Sequence, residues 1–263
     1  MPARGEWWCG REVPEGDTIW RSAATLREHL AGRSLKEVQP EALRVLRGRS
    51  LEAVEPVGKH LLMRFSGGWT LHSHMRMSGS WHLYRPGERW RRPRYHARAV
   101  LDFEDWTAVC FSAPVLQVVR DESPAVGHLG PDILAEDFPL DLVLARARAA
   151  GPQTLGELLL DQRVCCGVGN VYKCESLWQR GLDPWRSSGE LSDHELQELF
   201  ETARALMRPN VSGRAAPRRY PGSGREAVHG RRGRPCPRCG TPIRSRPQGE
   251  QGRWTYWCPR CQA

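Results

Sequence analysis

Two cysteine pairs near the end of this 263-residue chain, Cys236-x-x-Cys239 and Cys258-x-x-Cys261, are separated by eighteen residues. Four thiolates at this spacing make a closed tetrahedral site for one structural zinc ion, with no position left for water. A redox pair would stand singly beside a βαβ unit, and no such pattern is present. The chain between the pairs must therefore loop out and return. Arg253-Trp254-Thr255-Tyr256-Trp257 alternates as a strand of a β-hairpin, with Arg253 near its tip.

The charge is concentrated in the same region. The formal net charge is +9, yet Arg204–Ala263 holds fourteen arginines and only two acids, Glu226 and Glu250, which leaves the rest of the chain mildly acidic. Such a distribution points to a polyanion-binding C-terminal region. Its aromatic residues and four cysteines speak for order rather than a basic tail. Residues 1–13 have no apolar segment of a signal peptide, and no run approaches the ~20 apolar residues of a membrane span. The expectation is a cytoplasmic protein without a membrane partner. Cys9, Cys110, Cys165, Cys166 and Cys174 are then reduced thiols, with Cys165-Cys166 packed in a turn between helices. Only Lys36, Lys59 and Lys173 stand against thirty-six arginines, so each lysine merits scrutiny.

Periodicity divides the chain. Asp17 is placed to cap a helix with apolar positions Ile19, Ala23, Leu26 and Leu30, closed by Gly32. From about Leu51 to Phe111 short strands follow: Lys59–Phe65 and Trp69–His74 flank Ser66-Gly67-Gly68, and His96–Phe103 and Trp106–Phe111 flank Glu104-Asp105. These predict an antiparallel sandwich. The Pro- and Gly-rich stretch 121–139 marks a boundary. Helices come next, with capping boxes at Thr154-x-x-Glu157 and Ser192-x-x-Glu195 and a helix from Asn170 to about Arg180, stopped by Gly181. Residues 208–235 read as an irregular basic segment. His72, His74, His82 and His96 are expected to be divided between strand faces rather than gathered into a metal site.

Gly167-Val168-Gly169-Asn170 opens its helix in a way suited to phosphate, because backbone N–H groups and the positive end of the helix dipole face outward. Asn170 can cap the helix, contact phosphate, or do both. Lys59, after Val57-Gly58, opens an apolar strand. Pro14-Glu15-Gly16-Asp17 has a further chemical possibility. Inside a chain a proline nitrogen is an unreactive amide. At a free terminus it is a secondary amine, near the α-amino pKa of roughly 7.7–8.0, and nucleophilic at neutral pH. Such an amine attacks the anomeric carbon of a sugar to form an iminium, with Glu15 as proton donor and acceptor.

Taken together, these residues resemble the formamidopyrimidine-DNA glycosylase and endonuclease VIII family of base-excision repair enzymes. The resemblance runs from Pro14 to Ala263 through Gly58-Lys59-His60, Leu129-Gly130-Pro131-Asp132, Asp161-Gln162, Gly167-Val168-Gly169-Asn170-Val171-Tyr172, Glu175 and Tyr256-Trp257-Cys258-Pro259-Arg260-Cys261-Gln262. It implies an α+β multidomain fold: an antiparallel β-sandwich with a leading helix at 14–126, a helix-two-turn-helix domain at 127–234 and a zinc-finger hairpin at 235–263, with DNA in a cleft. The implied catalytic residues are Pro14 as Schiff-base nucleophile, Glu15 as general acid/base, Lys59 at a phosphate and assisting elimination, and Arg253 gripping phosphate and acting in δ-elimination. Gly169 and Asn170 would hold phosphate, and Arg76 and Met77 would fill the space left by a flipped base. Cys236, Cys239, Cys258 and Cys261 would hold one zinc, with no redox or nucleotide cofactor.

The implied partner is damaged DNA, duplex or single-stranded, bound by a monomer. Oxidised pyrimidines are the favoured lesions, because the start is Pro-Glu-Gly and residues 111–120 lack an arginine-phenylalanine-glycine wedge. A purine-directed glycosylase is the alternative, as is a non-catalytic damaged-DNA binder if Pro14 is never exposed. Thr18 stands where the family often has glutamate. Pro14 also lies inside the sequence, so the expectation is that translation starts at position 13, where a GTG codon is read as Val13. Residues 1–13 would then be a mis-annotated leader.

Overall fold

The computed structural model describes residues 13–211, 218–220 and 224–263. Trp7, Trp8, Cys9 and the rest of 1–12 lie outside them. The chain forms two compact units, one spanning the residues up to His128 and the other Leu129–Asn210 with Arg218–Ala263.

The first unit opens with α1, Gly16–Leu30. Ile19, Ala23, Leu26 and Leu30 recur at helical spacing, and each is at most 2 % exposed. At about 1.5–3 kcal/mol for each large aliphatic side chain, this stripe fastens the helix to the sandwich. The cap differs from the sequence expectation. Glu15 occupies the N-cap in an extended conformation, its carbonyl accepting the amides of Thr18 and Ile19, and Asp17 sits buried inside the first turn. Gly32, at φ +80°, follows the helix end as its spacing suggests.

Two four-stranded antiparallel sheets follow. One contains β1 (Glu37–Gln39), β5 (Ser80–Tyr84), β6 (Ala97–Asp102) and β7 (Thr107–Phe111) in the order β1-β6-β7-β5; the other contains β2 (Leu51–Val57), β3 (His60–Phe65), β4 (Trp69–His74) and β8 (Val115–Val119) in the order β2-β3-β4-β8. The 60–65/69–74 and 97–102/107–111 hairpins match the sequence reading to within a residue or two. Leu61, Met63 and Phe65 of one sheet join Trp81, Leu83, Ala99 and Leu101 of the other in a common core with α1. A short helix, α2 (Ser123–Val126), follows β8. It is tethered through Glu122, whose carboxylate accepts both Nε and Nη2 of Arg64.

The second unit holds α3 (Leu140–Ala149), α4 (Leu155–Leu158), α5 (Asn170–Arg180), α6 (Asp193–Met207) and the hairpin β9 (Arg244–Gln248)/β10 (Arg253–Trp257). Ser192 and Glu195 form a complete capping box at α6. Thr154 forms only half of one, because the Glu157 carboxylate takes the Thr154 hydroxyl. Gly181 ends α5 in the left-handed conformation, φ +70°. Cys110, Cys165, Cys166 and Cys174 are free and buried, and burial pushes the Cys110 thiol up to about 12.

Gly130 tests the packing of the second unit. Its amide donates to the Gln162 carbonyl, and a Cβ here would lie 2.4–2.6 Å from the backbone carbonyls of Arg163 and Val164. Backbone atoms cannot give way as a side-chain tip can. Gly130→Ala should destabilise this unit by about 1–3 kcal/mol, read as a lower urea midpoint at unchanged slope.

Candidate functional site

In the first unit Pro14 and Glu15 stand at the head of α1, and both are buried. The positive end of a fifteen-residue helix favours a carboxylate at that place. The nitrogen of Pro14 is joined to Val13 in this chain, and as an amide it is not a nucleophile. Thr18 is buried in the first turn, with its hydroxyl 3.4 Å from Asp17 Oδ1.

Lys59 lies before β3 rather than within it. Gly58-Lys59 forms a two-residue turn closed by the Val57–His60 pair, and Gly58 supplies the positive φ, +58°, that the turn requires. The strand histidines are not dispersed. His72 and His74 are two residues apart on β4 and so share a face, and the β3–β4 register sets His60 opposite His74. His60 Nδ1 lies 2.8 Å from His72 Nε2, and His72 Nδ1 lies 3.1 Å from Gln117 Nε2. His74 meets His60 edge-on at 4.6 Å. Desolvation lowers all three pKa values, and repulsion from Lys59 adds to the effect on His60 and His74. His60 falls to about 3 and His74 to about 4. Lys59 thus stands beside a neutral imidazole cluster. The expectation of division between faces fails for His72 and His74, which share a face and are joined by His60; His82, on β5, lies apart from them.

His74 also shapes the next turn. Its Nδ1 accepts the Arg76 amide at 3.1 Å, and Arg76 adopts φ +46°, rare for a residue with a side chain. Met77 beside it is 61 % exposed. This turn presents a cation and an apolar side chain to solvent.

In the second unit the four cysteine sulfurs converge. Cys239 and Cys258 are 3.4 Å apart, Cys236 and Cys261 4.0 Å, and all four lie within 4.8 Å of one another. Zn–S bonds of about 2.3 Å set tetrahedral sulfurs about 3.8 Å apart, so the donors fit zinc in kind and in spacing. Trp178 Nε1–H donates to Cys236 Sγ at 3.4 Å. This is the only group of three or more metal-ligating side chains gathered in this way among the described residues.

The hairpin is joined to α5. Gly169 is the N-cap, so Asn170 is the first helical residue and not the cap. Asn170 Nδ2 donates to the Trp254 carbonyl at 2.8 Å, next to Arg253. Arg253 opens β10 beyond the Gly249–Gly252 turn, exposed, with Nε 3.3 Å from Gln251 Oε1. One turn further along α5, Lys173 is fully buried and donates to Thr255 Oγ1 at 2.6 Å. Thr255 donates to Gln248 Oε1, and Gln248 Nε2 donates to Thr154 Oγ1 and the Pro184 carbonyl. Glu175 accepts the amides of Ala227, Val228 and His229. Burial nevertheless raises its pKa. In the sequence Lys173 stands out only through the scarcity of lysine, and nothing there marks Thr255 or Gln248.

Residues 13–114 match the formamidopyrimidine-DNA glycosylase N-terminal domain, and residues 129–218 match the formamidopyrimidine-DNA glycosylase H2TH domain. The chain is 46% identical to a probable endonuclease 8 2 of Streptomyces coelicolor, over 95% of this chain and 94% of that protein. It is 36% identical to the DNA-(apurinic or apyrimidinic site) lyase Nei2 of Mycolicibacterium smegmatis, over 95% and 99%. The crystal structure of the MutM (Fpg) protein of Thermus thermophilus superposes with a TM-score of 0.78 at 31% identity, covering 95% of this chain and 98% of that one.

The histidine cluster makes a testable statement about pH. Unfolded imidazoles take up protons near 6.5, whereas folded His60 and His74 resist until about 3 and 4. Their preference for the neutral form stabilises the fold fully above pH 6.5 and is lost as the pH falls from 6.5 towards about 3. Urea midpoints of the first unit should drop across that window. His60→Gln should flatten the dependence.

Proposed function

We propose that this chain, which belongs to the formamidopyrimidine-DNA glycosylase and endonuclease VIII family, performs its glycosylase and AP-lyase chemistry through Pro14 freed of the residues before it. The observation that carries this reading is the start of the family match at residue 13, which puts Pro14 at its head. The Mycobacterium tuberculosis endonuclease 8 2, at 36% identity, also aligns over all of its own length with 95% of this chain. Translation from Val13 with removal of the initiator would expose the Pro14 amine.

That amine attacks C1′ of the damaged nucleotide. A C–N bond forms, the glycosidic bond breaks, and the base departs with a proton; the C1′–O4′ bond then opens as O4′ takes a proton, which leaves the iminium. Glu15, a carboxylate at the N-cap of α1, relays protons between the leaving groups and the iminium. The iminium acidifies C2′, and loss of that proton expels the 3′ phosphate; a second elimination expels the 5′ phosphate. Lys59, on its turn, is placed to pair with phosphate among imidazoles that carry no competing charge. Arg76 and Met77 would enter the space vacated by the flipped nucleotide.

In the second unit, the start of α5 with Gly169 and Asn170 binds one phosphate and Arg253 another. The Asn170–Trp254 hydrogen bond keeps these two elements in one frame. The four cysteines hold one zinc ion, which supplies a cross-link to the hairpin when bound and no chemistry to the reaction. We assign oxidised pyrimidines as the preferred lesions. This is supported by the 46% identity to a probable endonuclease 8 2, against 31–33% for proteins named formamidopyrimidine-DNA glycosylase.

Borohydride reduction tests the nucleophile. A chain beginning at Pro14 should be trapped covalently on DNA with an abasic or thymine-glycol site; Pro14→Gly and the full 263-residue chain should not. Absence of an adduct with the chain beginning at Pro14 overturns the assignment. Excision of thymine glycol should be faster than that of 8-oxoguanine. Elemental analysis should find about one zinc per chain, and Cys258→Ser should lose the metal and lower the thermal midpoint.

A further inference from the structure

Residues 85–98 carry six arginines against a single carboxylate, Glu88. The Glu88 side chain is occupied within the loop, accepting the Arg85 amide at 3.0 Å. Elsewhere in the same unit three exposed arginines are matched by acids: Arg33 with Asp105 at 2.7 Å, Arg47 with Glu37 at 3.1 Å, Arg44 with Glu41 at 3.6 Å. Arg89, Arg91 and Arg94 have no such counterpart among the described residues. An ordinary solvated face would mix the two signs.

The loop is held in shape. The Arg91 amide donates to the Tyr84 hydroxyl at 3.2 Å. Trp90 stacks on Tyr84 and meets Phe111 edge-on, and the Arg94 guanidinium lies 4.6 Å over the Trp90 ring. Arg92 Nη1 donates to the Ser78 carbonyl at 3.1 Å, and the Ser112 amide donates to the His96 carbonyl at 2.8 Å. The Arg92 bond ties the loop to the turn that carries Arg76 and Met77. Among the described residues of this unit the exposed large apolar side chains are Met77 and Tyr95, and Tyr95 is 82 % exposed. They stand on the two segments that Arg92 bridges.

We propose that the 85–96 loop is a DNA-binding surface, on which Arg89 and Arg91 pair with backbone phosphates and the Tyr95 ring stacks on a base. The inference rests on DNA being the substrate, and extends the binding surface beyond the residues assigned above. Arginines interleaved with an exposed aromatic ring are the chemistry of a phosphate track with a stacking platform. The anchored backbone lowers the ordering cost of binding.

The test uses the chain beginning at Pro14 and a fluorescent duplex containing a tetrahydrofuran abasic analogue, titrated between about 50 and 200 mM salt. Arg89→Ala/Arg91→Ala should weaken binding roughly tenfold at about 100 mM salt and reduce the slope of log K against log salt by about 1.8, or about 0.9 for each phosphate no longer neutralised. Arg89→Lys/Arg91→Lys should restore the slope. Tyr95→Ala should weaken binding roughly tenfold without changing the slope. A double-alanine variant that binds with the parent's affinity and slope overturns the proposal; a loop that serves an acidic protein instead would give that result. Failure of the parent chain to bind or cleave would instead count against the function proposed above.

Discussion

The side-chain nitrogen of Lys173, fully buried on α5, is the constraint around which the second unit is organised. Burying a polar group is costly unless hydrogen-bond partners meet it. Thr255 answers from the hairpin, and Gln248, on the paired strand, passes the connection to Thr154 and the Pro184 carbonyl. Separating the hairpin from the helix would strand this whole chain of donors and acceptors. Glu175, half a turn further, secures residues 227–229 in the same way through three backbone amides. The four-cysteine cluster completes the frame, sharing its apolar surroundings with Cys174, Val228 and Ile243. The start of α5 and the Arg253 strand are thereby held together, as the proposed pair of phosphate contacts requires.

The first unit solves a different problem. Its sandwich buries Leu and Met side chains between two sheets, and so frees the turns at the strand ends for polar work. Gly58-Lys59, Arg76-Met77 and the arginine loop all occupy such turns. What stands beside Lys59 is unusual: three imidazoles whose pKa values burial lowers, with Lys59 itself adding to the effect on His60 and His74. A neutral cluster can hydrogen-bond a turn into shape, as His74 does for Arg76, without repelling the lysine.

Much of this is legible in one dimension. The apolar stripe of α1, the hairpins around 66–68 and 104–105, the Ser192 capping box and the Gly181 stop are local signals, each carried by residues within a few positions of one another. The cysteine pairs announce a metal-binding hairpin because their spacing is itself the geometry. Where sequence and structure part, the reason is equally physical. A capping side chain is recognised by type, which favours Asp17, whereas the chain enters α1 two residues earlier and places Glu15 at the cap. The strand histidines look dispersed along the sequence, yet two of them are two apart on one strand and the third is opposite by register. Register depends on which strands pair, which no window of residues contains.

The family of the chain and the kind of metal site it can build are legible in residue types and spacings alone, since the ordered motifs and the two cysteine pairs are chemical facts of the chain. What surrounds those residues follows from the fold. The partners of Lys173, the pairing of the histidines beside Lys59, and the bridge from Arg92 to the Met77 turn join residues 12 to 82 positions apart. Long-range pairing and desolvation arise when the chain closes on itself, so these features have no signature in any single stretch of sequence.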